Sequence, residues 1–144
     1  MITIEEFKKK QTSKIRLIGL DLGSKRIGIS ICDESQSIAT PFKTIVRINT
    51  SNLIKENNIK GIVIGNPVNM DGTLGSSAQS VKDISTNISQ FIDLPVFLWD
   101  ERLSTVGAFN LSSQLDVNIS KKIKKIDENA AAFILQGAID YLNN

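Results

Sequence analysis

The feature that most constrains the fold is a carboxylate at the end of a short apolar run near the N-terminus. Residues 15–30 read IRLIGLDLGSKRIGIS. The apolar run before Asp21 is dense enough to predict a buried strand that ends at this residue. Gly23 predicts a tight turn, and the alternation that begins at Ile27 predicts a second strand. The sequence therefore predicts a hairpin with an acid at the end of its first strand, although a turn aspartate bonded to its own backbone gives the same pattern.

The apolar patterns after this hairpin predict a mixed α/β fold. Phe42–Val46, with Pro41 at its start, predicts a third strand that completes an antiparallel meander. Two further runs predict buried strands at Gly61–Gly65 and Val96–Trp99. Helices are predicted near the N-terminus and at Ser51–Asn57, Ser76–Phe91, Thr105–Leu111 and, most clearly, Ala131–Leu142. We therefore expect a mixed sheet of three antiparallel and two parallel strands with flanking helices.

A single domain is expected, preceded by a short extension. The chain has 144 residues, the usual size of one domain with one core. We assign residues 14–144 to this domain and residues 1–13 to an N-terminal extension. Thr3 and Glu6 have the spacing of a capping box, which predicts a short helix within the extension.

The composition excludes several classes of site and partner. The chain has no histidine and one cysteine, Cys32, which excludes an internal disulfide and argues against a zinc site. Any bound metal would therefore need oxygen ligands. No apolar run is long enough to span a bilayer, so no membrane partner is expected. The cysteine usage fits a reducing compartment, and we expect a cytoplasmic protein. The net charge of +2 does not by itself indicate nucleic acid.

Acidic residues fall at the ends of three elements that are far apart in sequence. Asp21 ends the first predicted strand, Asp100 and Glu101 end the last one, and Asp127 precedes the last predicted helix. In α/β sheets the carboxyl ends of strands and the N-termini of helices meet at one edge. Carboxylates that converge there repel one another and require a hard cation such as Mg²⁺ or Mn²⁺. The pattern indicates metal-dependent hydrolysis of phosphodiester bonds.

Each of these acids also has an ordinary structural explanation. Asp100 and Glu101 could form a surface ion pair with Arg102, an interaction worth little. Asp127 could serve only as the cap of the last helix. The residue pattern alone leaves both explanations open.

Five motifs resemble the YqgF family of Holliday junction resolvases, also called RuvX. In chain order they are DLGSKRIGIS, TPFKTI, IVIGNPVNMDGTLGSSA, DERLST and IDENAAAFILQG. The resemblance extends from about residue 16 to residue 142, and five ordered motifs make it specific. It implies an RNase H-like fold related to that of the RuvC resolvases, and a bacterial cytoplasmic nuclease. Both Holliday junction resolution and maturation of the 5′ end of small-subunit rRNA precursors are attached to this family.

The resemblance also implies a set of site residues. Asp21, Glu101 and Asp127 correspond to the catalytic, metal-binding acids, and Asp100 is a further candidate. The family usually has Thr-Thr after its DER motif. Here the pair is Ser104-Thr105, which keeps the hydroxyl group.

Basic and amide side chains near these acids are candidates for contacts with nucleic acid. The loop that starts at Asn66 follows a buried strand, and it either lines the site or serves only as a connector. The lysines before Asp127 could contact phosphates beside a metal site, but such a run is also typical of a solvated loop. The candidates are Lys25, Arg26, Asn66, Lys121, Lys122, Lys124 and Lys125.

Two alternative functions stay open. The DLGSKRIG turn also resembles the phosphate loop of actin-like and sugar-kinase ATPases, which enclose a nucleotide between two such domains, whereas 144 residues supply one. The second alternative is a nucleic-acid-binding module without catalytic activity. We favour the interpretation as a metal-dependent nuclease. Its partner would be structured DNA or precursor rRNA, and a homodimer is one possible assembly.

Overall fold

A computed structural model describes residues 1–23, 26–46, 57–67, 75–100 and 119–144 of the chain. Within these ranges, the side chains of residues 46, 76–78 and 119–128 are outside the description. The described elements are α1 (Ile4–Lys10), β1 (Leu17–Leu22), β2 (Arg26–Cys32), β3 (Ala39–Val46), β4 (Gly61–Asn66), α2 (Ser76–Phe91), β5 (Val96–Asp100) and α3 (Ile119–Asn143). The predicted helix at 105–111, and all but the last residue of the one at 51–57, lie outside the described residues.

The five described strands form one mixed sheet in the order β3-β2-β1-β4-β5. β1 pairs antiparallel with β2, and β2 pairs antiparallel with β3. β4 pairs parallel with β1, and β5 pairs parallel with β4. This arrangement confirms the predicted meander with two added parallel strands. It places β1 at the centre of the sheet, with a parallel neighbour on one side only.

β3 begins earlier than the sequence pattern predicted. The strand starts at Ala39, so Pro41 lies inside it and pairs with Ser30 instead of standing at its start. The register between β2 and β3 shifts between Ile29 and Ser30. β3 lies at an edge of the described sheet, where a residue without an N–H group is tolerated, especially beside such an irregularity.

The two faces of the sheet bury separate apolar clusters. On one face, Ile18, Leu20 and Ile64 pack with Val81 of α2. On the other face the cluster includes Leu17, Val63, Phe97, Ile134, Leu135 and Ala138, the last three from α3. Both clusters consist of fully buried or nearly fully buried side chains. Burial on both faces explains why the central strands read as continuous apolar runs and not as alternating ones.

α1 packs into the second of these clusters. Ile4 and Phe7 are buried, and the rings of Phe7 and Phe97 lie 4.9 Å apart. The Thr3 hydroxyl accepts a hydrogen bond from the Glu6 N–H group at 3.1 Å, which confirms the predicted short helix and its cap. Just before the helix, the Ile2 N–H group donates to the Val96 carbonyl at 3.1 Å. The N-terminal segment therefore covers part of the edge of the sheet at β5.

α3 is seated closely on β1 and β2 because two small residues face it. A Cβ atom at Gly19 would lie 2.5 Å from the Ser30 Oγ and 2.9 Å from the Ala131 carbonyl oxygen. The Ser30 hydroxyl donates to that same carbonyl at 2.7 Å and is fully buried. A larger residue at position 19 would push the helix away from the sheet.

α3 is also longer than the sequence pattern predicted. It begins at Ile119, so the prediction that Asp127 precedes the last helix is wrong, and the alternative explanation of Asp127 as an N-cap is excluded. The lysines at 121, 122, 124 and 125 are likewise helical and do not form a loop. Ile119, Ile123 and Ile126 continue the spacing of three and four residues toward the N-terminus. The intervening lysines obscured that pattern.

Candidate active site

The carboxyl ends of three adjacent parallel strands meet at one edge of the sheet. Asp21 is the penultimate residue of β1, and Asn66 and Asp100 are the last residues of β4 and β5. Asn66 and Asp100 are direct partners in the register of β4 and β5. All three side chains are half-buried. The structure thus places one acid of β1, one amide of β4 and one acid of β5 along the same edge, as expected.

The pleat separates these residues between the two faces. Side chains alternate along a strand, so Asp21 shares its face with Leu17 and Gly19, the face that α3 covers. Asp100 shares its face with Val96 and Leu98, which pack in the cluster on the α2 side. Asp21 and Asp100 therefore start from opposite faces, which makes Asp100 the less suitable partner for Asp21.

The direction of α3 carries the backbone of Asp127 toward Asp21. Ala131 lies over Gly19, while the Asn143 Nδ2 group donates to the Gln36 carbonyl at 2.7 Å, beyond the opposite end of β1. The helix therefore runs antiparallel to β1. Asp127 is one helical turn before Ala131, about 6 Å along the axis, and Asp21 is two residues after Gly19 on the same face. The backbones of the two acids consequently lie at the same edge and on the same face.

Ser30 is a positioning residue that the sequence motifs did not indicate. Its hydrogen bond to the Ala131 carbonyl fixes α3 at a point one turn from Asp127. The available signal was the presence of a hydroxyl in the run of isoleucines at Ile27, Ile29 and Ile31. Ser30 and Gly19 are partners in the register of β1 and β2. The role of Ser30 can therefore be recognised only once that register is known.

The basic residues that are candidates for contacts with nucleic acid lie either at the same edge or outside the residues that the structure describes. Arg26 begins β2 next to the end of β1, its side chain is exposed, and its carbonyl accepts the Gly23 N–H group at 2.9 Å. The four candidate lysines of α3 lie six to ten residues before Ala131, roughly 9–15 Å farther along the helix axis. Lys25 and Glu101 lie outside the described residues. The structure thus brings Asp21, Arg26, Asn66 and Asp100, and the backbone of Asp127, to one edge.

The donor chemistry at this edge fits a hard divalent cation. Carboxylate and amide oxygens are the ligands that Mg²⁺ and Mn²⁺ prefer, and the chain has no histidine to offer nitrogen. Among the described residues, no three His, Cys, Asp or Glu side chains are grouped so that they could hold a metal. Two of the three predicted ligands, Glu101 and the side chain of Asp127, lie outside the described part of the chain. In the part of the chain that the structure covers, no helix is long and apolar enough to cross a membrane.

Comparison with known proteins gives concordant matches. A family model described as "RuvX: Holliday junction resolvase" matches residues 15–141. A protein of Pelagibacter ubique named "Putative pre-16S rRNA nuclease" is 74% identical, and the alignment covers 100% of both chains. A protein of the same name from a Chelativorans species is 41% identical over 99% of this chain and 93% of its own length.

A structural match is consistent with these sequence matches. The structure titled "T. thermophilus RuvC in complex with Holliday junction substrate" superimposes with a TM-score of 0.56 at 8% identity, over 90% of this chain and 97% of that one. At this level of identity the match concerns the fold alone. The mixed five-stranded sheet with its flanking helices is the RNase H-like architecture that the sequence motifs implied.

Proposed function

This chain belongs to the RuvX family, and from that premise we propose that it is a metal-dependent endonuclease that hydrolyses phosphodiester bonds in structured nucleic acid. The leading substrate is precursor 16S rRNA, after the name that its relatives carry, and its 5′ end is the part that the family resemblance implies. A four-way DNA junction is the second candidate, after the description of the family. We further propose a cytoplasmic location, which fits the single cysteine.

The observation that carries this proposal is the shared position of two acids from distant parts of the chain. Asp21 lies on the face of the sheet that α3 covers, and the backbone of Asp127 lies one turn from the point where α3 touches Gly19. A fold that only needed a stable core gains nothing from two acidic residues at one edge, because carboxylates that approach each other repel. A bound cation removes that repulsion.

In the proposed mechanism, the acids hold the reaction centre and the basic residues hold the substrate. Asp21, Glu101 and Asp127 would bind the divalent cation, which supplies an activated water and stabilises the developing negative charge. Arg26 and Lys25 would contact the phosphates on the β2 side of the edge, and the lysines of α3 would contact them on the helix side. The hydrogen bond from Ser30 holds α3 against the sheet and would thereby set the distance between Asp21 and Asp127.

The division of the chain and its assembly are also part of the proposal. The family model begins at residue 15, which supports residues 14–144 as the catalytic unit and residues 1–13 as an added segment. A homodimer would suit a four-way junction, because a two-fold pair of sites can address two equivalent strands. Sedimentation with and without a junction measures the assembly, and a monomer in both states would contradict a dimer.

A cleavage assay with matched variants tests the central proposal. The substrates are a transcript that spans the 5′ end of 16S rRNA and a four-way DNA junction, each incubated with and without Mn²⁺. We expect cleavage by the wild type with Mn²⁺ only, and a loss of more than about 100-fold in Asp21→Asn, beyond the usual effect of removing a residue that only supports a ligand. Asp140→Asn makes the same charge change at an exposed position near the other end of α3 and should retain activity.

Three results would contradict the proposal. Full cleavage by Asp21→Asn would exclude this residue as an essential ligand. Cleavage of equal rate without a divalent cation would exclude metal dependence. Binding of both substrates by the wild type without cleavage of either would favour the alternative of a non-catalytic binding module.

A further inference from the structure

A cavity opens beside the candidate active site, between the N-terminal segment and the ends of β4 and β5. Its volume is about 650 Å³, within the range of roughly 300–1,000 Å³ typical of pockets for small organic ligands. It is lined by residues 1–6, Asn66, Leu98, Trp99, Asp100 and Tyr141. Asn66 and Asp100 thus belong both to the edge that carries Asp21 and to this cavity.

The aromatic wall of the cavity is fixed in place by α3. The rings of Trp99 and Tyr141 lie 6.2 Å apart. A Cβ atom at Gly137 would lie 2.8 Å from the Trp99 Nε1, so the glycine is what allows the indole to approach the helix so closely. The Lys8 Nζ lies over the Tyr141 ring, 4.8 Å from its centroid, so the indole of Trp99 is the aromatic surface that suits a planar ring system such as a nucleobase.

The charge of the lining selects against a phosphate and in favour of a hydrogen-bond donor. Among the described lining residues, Glu5, Glu6 and Asp100 are acidic, and the one positive group is the terminal ammonium of Met1, which donates to the Ser89 Oγ at 2.9 Å. Carboxylates accept hydrogen bonds and repel phosphates. Asn66 adds an amide that can both donate and accept. The cavity therefore differs in charge from the basic candidates that would hold the backbone of a nucleic acid.

We propose that this cavity receives an unpaired nucleobase of the substrate, close to the cleaved bond, and that it prefers guanine. This inference rests on the proposed nuclease function. Guanine presents an imino and an amino N–H group side by side, and these match the two oxygens of one carboxylate. Uracil and thymine present a single N–H group between two carbonyls that a carboxylate would repel. β5 lies two strand spacings from β1, roughly 10 Å, so a nucleotide that flanks the bond near Asp21 can reach the cavity.

The position of α1 makes the N-terminal segment a determinant of specificity. Residues 1–14 lie outside the part of the chain that the family model matches. The segment nevertheless supplies one wall of the cavity, held by the bond from Ile2 to Val96 and by the burial of Ile4 and Phe7. In this protein, residues that the family model does not include would therefore contribute to recognition of the base.

Intrinsic fluorescence tests the proposal without reference to cleavage, because Trp99 is the only tryptophan of the chain. The probes are hexauridylate and hexauridylates that carry a single guanosine, adenosine or cytidine, titrated without divalent cation so that no cleavage occurs. We expect the guanosine probe to change the Trp99 emission and to bind more tightly than hexauridylate by about five- to hundredfold, the discrimination that one bidentate contact provides.

Two double variants separate the cavity from a general charge effect. Glu5→Gln with Glu6→Gln removes two acids from the lining, and Glu34→Gln with Asp83→Asn removes two exposed acids elsewhere. We expect the preference for guanosine to be lost in the first variant and kept in the second, while both bind hexauridylate slightly better because two negative charges are gone. Thermal melting of both variants verifies that they are folded.

The outcomes for the cavity and for the nuclease function are distinguishable. Equal affinity for all four probes, or equal loss of the guanosine preference in both double variants, would overturn the cavity proposal even if the wild type cleaves its substrates. A guanosine preference that only the first variant loses, in a protein that cleaves neither substrate, would support the cavity and contradict the nuclease.

Discussion

For Asp127, the difference between the predicted position before the last helix and the observed position inside α3 changes the expected effect of mutations. At an N-cap, alanine would cost roughly 0.5–2 kcal/mol, but inside α3 alanine is the better helix former. We expect both Asp127→Asn and Asp127→Ala to melt at or slightly above the wild-type temperature, because a repelling charge is removed. Both should lose most of the cleavage activity, since asparagine lacks the charge that binds a divalent cation.

Glu128→Gln is the matched control for Asp127, because it removes one charge at the next position of the same helix. It should keep cleavage within a few-fold of the wild type. If Glu128→Gln is inactive while Asp127→Asn cleaves normally, Glu128 completes the site in place of Asp127. Calorimetry and the cleavage assay together make this comparison.

Asp33 determines a pH dependence that is separate from the active site. Its carboxylate accepts hydrogen bonds from the Ser35 hydroxyl and from the N–H groups of Ile38 and Ser37, and these lower its pKa to about 2. The pKa of an unfolded aspartate is about 3.9. Since the folded pKa is the lower one, Asp33 stabilises the fold above about pH 4, and this contribution is lost as the pH falls toward 2.

Asp33→Asn should flatten this part of the stability profile. The asparagine oxygen can still accept the backbone N–H groups but does not titrate. We therefore expect the free energy of unfolding of the variant to change less between pH 4 and pH 2 than that of the wild type, as measured by urea titrations at several pH values. Identical slopes in that range would show that the turn does not stabilise the ionised form.

At the scale of elements, the lysines in the N-terminal half of α3 allow a prediction about the salt dependence of nucleic-acid binding. If the lysines of α3 contact phosphates, Lys121→Gln with Lys122→Gln should weaken binding to all sequences alike. The slope of log affinity against log salt should become shallower by up to about 0.7–0.9 per lost contact. Lys9→Gln with Lys10→Gln removes the same charge from exposed positions of α1 and should leave the slope nearly unchanged. Equal slopes in both variants would indicate that the α3 lysines are only solvated.

The elements differ in how far the sequence could predict them. The bounds of α2, Ser76–Phe91, agree with the prediction because Val81, Ile84 and Ile88 form a plain apolar stripe between a glycine loop and Pro95. The start of α3 could not be recognised in the same way, since lysines outnumber isoleucines in its first two turns. Propensity and periodicity are weak evidence where charged residues fill the exposed face.

The residues of the candidate site are a prediction from the motifs, whereas its geometry required the structure. The motifs identified Asp21 and Asp127, yet only the strand order and the close seat of α3 on Gly19 place their backbones on one face. The opposite face of Asp100 likewise follows from the register of β5 against β4. Such relations depend on tertiary packing, which local sequence does not encode residue by residue.

At the scale of the whole molecule, the proposed metal would link the candidate site to global stability. Acids that repel each other destabilise the free protein, and a cation that binds only the folded state stabilises it. At 100 times the dissociation constant this effect is about 2.7 kcal/mol, or roughly 5–11 °C in melting temperature for a domain of this size. We expect Mn²⁺ to raise the melting temperature of the wild type by such an amount and that of Asp21→Asn by much less.

Asp140→Asn again serves as the control and should respond to Mn²⁺ as the wild type does. A rise of the same size in Asp21→Asn would locate the metal elsewhere on the protein. No change in the wild type at saturating Mn²⁺, together with no heat of binding, would contradict the model of converging acids.

Alkylation of the Cys32 thiol can measure local opening of the protein around β1 and β2. The thiol lies buried at the end of β2, where the Leu17 N–H group donates to its sulfur at 3.1 Å. Burial raises the pKa of the Cys32 thiol, so the closed protein presents neither a thiolate nor access to an alkylating agent. Alkylation therefore requires an opening that exposes this sulfur, either between β1 and β2 or between the sheet and the helices of the same apolar cluster. When reclosing is faster than alkylation, the rate of modification measures the equilibrium population of this open state, in which the packing around the strand that carries Asp21 is disrupted.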